Sequence, residues 1–104
     1  MKSTALQRAL VRELVVGQDA KSYASHCQVI INAKPPKFDA IQCPGLILAG
    51  AEDKSAPLEG CMMIEHSIAS DSKELKVMDG VGHWHCIEAG ERVGQEIAAF
   101  CLSL

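Results

Sequence analysis

Glu74-Leu75-Lys76-Val77-Met78-Asp79-Gly80-Val81-Gly82-His83-Trp84-His85 is the stretch on which the fold turns. Apolar and charged residues alternate from Glu74 to Met78, which predicts a strand, half exposed as an edge strand can be. Gly80 and Gly82 permit a sharp turn, and a long helical pattern follows. This places a histidine just past the C-terminal end of a strand, where open α/β sheets gather their chemistry. An imidazole held there serves as a general base near neutral pH.

Gly45-Leu46-Ile47-Leu48-Ala49-Gly50-Ala51-Glu52-Asp53 is the second informative stretch. Its consecutive apolar residues predict a parallel strand covered on both faces, opened by Pro44 and running into an acidic turn. Ser55-Ala56-Pro57 then leads into a helix over Leu58 to Ala69, with Cys61, Ile64 and Ile68 on one face and proline suited to the first turn. Gly60 weakens its start by about 1 kcal/mol relative to alanine. Ser70-Asp71-Ser72 is a polar turn. Strand, helix and strand make one right-handed crossover unit, so Asp53 and His83, 30 positions apart, emerge at the same end of a parallel sheet. An acid oriented toward a histidine is two thirds of a hydrolytic triad.

Before these strands, Leu6, Leu10 and Leu14, widened by Val11 and Val15, predict a helix over Thr4 to Val16 that stops at Gly17. Asp19 is a candidate N-cap for a second helix over Ala20 to Ala33, with Tyr23, Cys27, Ile30 and Ile31 on one face. Lys34-Pro35-Pro36-Lys37 breaks the pattern, since proline lacks the amide proton and disfavours helix in the residue before it. The boundary placed here divides the chain into 1–36 and 37–104. Phe38 to Cys43 is a connector. Val93, Ile97, Phe100, Cys101 and Leu104 mark an amphipathic terminal helix.

With 104 residues, 48% of them hydrophobic and 22% charged, the chain is globular and at most one domain. A net charge of −3 gives no reason to expect nucleic acid or an anionic membrane as partner. No apolar run approaches the roughly 20 residues that span a bilayer. Arg8, Arg12 and Glu13 interrupt any secretory signal, and the basic amphipathic start matches a mitochondrial presequence less well than a surface helix. Cys27, Cys43, Cys61, Cys86 and Cys101 are odd in number and form no Cys-x-x-Cys pair, so free thiols in a reducing, cytoplasmic setting are expected.

From Pro44 to Pro57, then through Gly80-Val81-Gly82-His83 to Glu88, the chain resembles the C-terminal part of an α/β-hydrolase of the esterase and enol-lactonase type. In that family an acid follows the penultimate strand in a Gly-x-x-Asp turn, and the histidine follows the last strand in Gly-x-Gly-His. The resemblance implies that Asp53 is the triad acid and His83 the triad base. It covers Phe38 to Leu104 well and the preceding helices less well. By the same resemblance, 1–36 is a helical cap remnant and linker. Tyr23 and His26 are then either pocket residues or ordinary packing and surface residues, the second being favoured. The substrate class so implied is a small ester or lactone, with no metal or organic cofactor.

Glu52 rivals Asp53, His85 rivals His83, and the register of the two motifs decides for Asp53 and His83. Asp79 is too near His83 in sequence to be its partner. His83, His85 and Cys86, completed by Cys61 or His66, lack the paired ligand spacing of structural zinc sites. The family's nucleophile motif, Gly-x-Ser-x-Gly, is absent. None of Ser3, Ser22, Ser25, Ser55, Ser67, Ser70, Ser72 and Ser103 lies between glycines on a strand-to-helix elbow, and Cys61 follows Gly60 but sits inside a helix. The expectation is a hydrolase segment with acid and base but no nucleophile or oxyanion hole, inactive alone, its partner being the missing N-terminal half or another copy of itself. A non-catalytic α/β binding module is the alternative, and catalysis by a non-standard nucleophile a third.

Overall fold

The computed structural model describes residues 3–104, which divide into two compact units, Ser3–Pro36 and Lys37–Leu104. The first unit holds helices α1 (Ala5–Val16) and α2 (Ala20–Asn32). Thr4 starts α1 with a capping box: its hydroxyl accepts the Gln7 amide, and the Gln7 side chain accepts the Thr4 amide. Gly17 ends the helix. Asp19 starts α2 by accepting the Ser22 amide at 2.8 Å, and that bond holds its carboxyl below the ordinary 3.8. Neither helix buries a side chain. The stripe Leu6, Leu10, Leu14 is exposed, Leu6 at 79%, as are Tyr23 and His26.

In the second unit, a 3-10 turn at Phe38–Ala40 leads to β1 (Gly45–Gly50), α3 (Leu58–Ser67), β2 (Lys73–Met78), α4 (His85–Glu88) and α5 (Gly90–Leu102). The two strands pair in parallel, from Gly45 opposite Lys73 to Gly50 opposite Met78. Side chains alternate between the faces of a strand. A Cβ at Gly45 would touch Ile68, which caps the end of α3, whereas Leu48 packs against a core of Met78, Val81, Ala89 and Val93. Thus α3 covers one face of the sheet and α5 the other. On the α5 face, Lys76 of β2 also pairs with Glu96 at 2.6 Å.

Lys37–Leu104 is thus a mixed α/β arrangement of helices around a small two-stranded parallel sheet. It corrects three local expectations. β1 is not covered throughout: Leu46, Ile47 and Leu48 are half-buried, and only Ala49 and Gly50 are buried. With two strands, each has one neighbour, so its outer side lacks the flanking side chains that would complete its cover. The apolar stripe of α5 is likewise only partly used, because Val93 is buried whereas Ile97 is exposed, and Leu104 lies past the end of the helix. The helical pattern after His85 is also interrupted. Ala89, at φ −139 and ψ 42, separates α4 from α5, and its side chain lies in the core. Among the described residues, no helix is long and apolar enough to cross a membrane, and the five cysteines are free thiols.

Candidate functional site

The loops that follow the two strands run side by side. Beyond the last ladder pair, the Ala51 amide donates to the Met78 carbonyl at 3.0 Å and the Glu52 amide to the Val81 carbonyl at 2.9 Å. The first loop closes on itself through the Asp53 amide, which donates to the Gly50 carbonyl at 3.2 Å. The second turns at Gly80, whose φ of 70 lies in the left-handed region open to glycine. Val81, 1% exposed, pins this loop into the core two residues before His83. Backbone pairing and a single apolar anchor therefore set the distance between the acid and the histidine.

Asp53 uses its two oxygens differently. Oδ1 accepts the amides of Ser55 at 2.8 Å and Ala56 at 2.9 Å. Oδ2 lies 3.0 Å from His83 Nδ1. The Asp53 side chain is 7% exposed and that of His83 54%. The Ala56 amide above all holds the Asp53 carboxyl below its ordinary 3.8; burial opposes this, and His83 and the Ser55 amide add to the lowering. An ionised carboxylate only accepts hydrogen bonds, so the proton of this contact sits on Nδ1. In the neutral ring, Nε2 then carries the free lone pair. The carboxylate thus fixes the ring with its free nitrogen, Nε2, facing away from Asp53.

The structure thus brings together the two residues that the sequence singled out. Glu52 and Asp79 are exposed, and neither hydrogen-bonds the ring. His85 has its Nδ1 buried and without a hydrogen bond. Trp84 stands edge-on to His83, ring centroids 6.2 Å apart. Among the described residues, His83 hydrogen-bonds no serine or cysteine, and no group of three or more His, Cys, Asp or Glu side chains is arranged to hold a metal ion. A shallow groove of about 560 Å³ is lined by Glu59, Met62, Met63, Glu65, His66 and Leu75 and includes neither Asp53 nor His83.

Two residues that the sequence left without a role shape this site. Gly50 lies where the two loops touch. Glu88, the last residue of α4, accepts the Gly82 amide at 3.0 Å through Oε2 and the Trp84 amide at 3.1 Å through Oε1. Their signals were position alone, a glycine three residues before the acid and a carboxylate five after the histidine. Comparison of the chain with family models, curated proteins and solved structures gives no match.

Proposed function

We propose that Lys37–Leu104 carries the acid and base of an ester- or lactone-cleaving triad of the α/β-hydrolase type, the nucleophile being supplied by residues outside this chain. The observation that supports this most is the 3.0 Å contact between His83 Nδ1 and a nearly buried Asp53 at the C-terminal ends of adjacent parallel strands. In the proposed reaction, His83 Nε2 takes the proton of a serine hydroxyl as its oxygen bonds to the ester carbonyl carbon. The same nitrogen then returns that proton to the departing alkoxide. Asp53 keeps Nδ1–H fixed and stabilises the imidazolium between these steps. This chemistry calls on no metal or organic cofactor.

The coding DNA on the 5′ side of the Met1 codon provides the test. The expected result is an in-frame segment containing Gly-x-Ser-x-Gly. Expression of that longer frame should then give a protein whose motif serine is labelled by a fluorophosphonate, with labelling lost in His83→Ala. An upstream frame without the motif, or labelling indifferent to His83, would overturn the proposal.

A further inference from the structure

We infer that Glu88 is a positioning residue for His83. This rests on the assignment of Asp53 and His83 as an acid–base pair and adds to it the group that keeps the histidine in reach. Val81 is anchored in the core, but Gly82 follows with no side chain, and His83 and Trp84 are exposed. A loop so exposed opens locally unless its backbone groups are tied. Glu88 ties it on both sides of His83: one oxygen takes the amide of the residue before, the other that of the residue after. An ionised carboxylate accepting two backbone amides makes charge-assisted bonds, which are stronger than neutral ones.

The geometry also accounts for Gly82. A Cβ there would stand 3.1 Å from Glu88 Oε1 and 3.4 Å from Oε2, so the glycine lets the carboxylate lie against the backbone. The clamp further connects the site to the core, because Glu88 ends α4 and the next residue, Ala89, is a core residue beside Val81. The His83 loop is therefore fastened to the core at Val81, and through Glu88 to the backbone segment that leads into Ala89. Asp53 is oriented independently by the Ser55 and Ala56 amides. Each member of the pair thus has its own backbone-centred support, and their 3.0 Å contact forms without either having to search for the other.

The test uses the full chain and needs no catalysis. Amide hydrogen exchange is followed at Gly82 and Trp84, with Ala51 and Glu52 as internal controls, and the His83 tautomer is read from its ring ¹⁵N shifts by NMR. In Glu88→Ala, exchange at Gly82 and Trp84 should accelerate about tenfold or more while the control amides hold. His83 should pass from a single Nδ1–H form to a tautomer mixture. Glu88→Gln, nearly the same size, keeps one acceptor oxygen and should leave one of the two amides protected; it serves where the alanine variant unfolds. Unchanged exchange in these variants, or faster exchange with the Nδ1–H form intact, would overturn the role of Glu88. If the unaltered chain already shows a tautomer mixture, the acid–base assignment fails instead, and amide protection still reports separately whether the clamp exists.

Discussion

A Cβ built on Gly50 would stand 2.5 Å from the carbonyl oxygen of Gly82 and 2.6 Å from that of Val81. The backbone that leads to the acid thus touches the backbone that carries the histidine, with no room for a side chain. This contact lies three residues from Asp53 and one from His83. This close approach helps bring the two residues together.

Gly50→Ala should therefore force the two loops apart. The obstructing atoms are backbone carbonyls of Val81 and Gly82, so the strain cannot be relieved by a rotamer change. Overpacking of this kind costs about 1–3 kcal/mol. Chemical denaturation should show that loss, and the single His83 tautomer should disappear from the ring ¹⁵N spectrum. A variant as stable as the parent, with the tautomer retained, would show that the loops tolerate separation.

Asp53→Asn separates the two functions of the carboxylate. The amide oxygen can still accept from Ser55 and Ala56, keeping the turn, whereas the NH2 group faces His83 Nδ1. A donor there obliges Nδ1 to accept, so the ring proton should move to Nε2. NMR of the histidine ring checks this directly. Persistence of the Nδ1–H form in the variant would mean that another acceptor orients the ring.

The acid dependence of stability follows from the direction of the Asp53 shift. The Ala56 amide and the other bonds hold its folded-state carboxyl below the ordinary 3.8. The folded state therefore releases this proton more readily than the unfolded chain. The contribution is complete above about 3.8 and is lost as pH falls through the lower folded value. Denaturation of the parent and of Asp53→Asn as a function of pH should show a stability difference that shrinks as pH falls through that acid range. A difference unchanged across that range would assign the acid dependence to another group.

By itself the chain should react with no fluorophosphonate. His83 lacks a hydrogen-bonded serine, and loss of a single oxyanion donor alone typically costs about 100- to 1,000-fold in rate. Mass spectrometry of the treated chain should find every serine unmodified. Stoichiometric labelling of one serine, abolished by His83→Ala, would show that the chain completes its own triad.

Self-association is expected at high concentration. Among the described residues β1 pairs only with β2, and β1 carries no charge, while Lys73, Glu74 and Lys76 guard β2. Half-buried Leu46, Ile47 and Leu48 adjoin that unguarded edge. Sedimentation velocity should find species heavier than the 11.2 kDa chain. A stable monomer that melts cooperatively would favour a self-sufficient binding module.

Much of the local structure was determined by the sequence alone, because its causes are local. Gly17 ends α1 and Asp19 caps α2. Pro57 precedes α3, and an apolar run and an alternating run form the parallel strands. The contact of His83 with Asp53, rather than with Glu52 or Asp79, was expected from the register of the Gly-x-x-Asp and Gly-x-Gly-His motifs. Only the tertiary structure decided the rest. Half-burial of β1 depends on how many strands flank it, which a strand's own residues do not encode. The break at Ala89, which divides the helical pattern after His85 into α4 and α5, has no signal in the apolar spacing of that stretch. Gly50 and Glu88 acquire their roles from distances across the fold, 2.5 Å to a carbonyl and 3.0 Å to an amide. The sequence names such residues, but only the folded chain sets what each one touches.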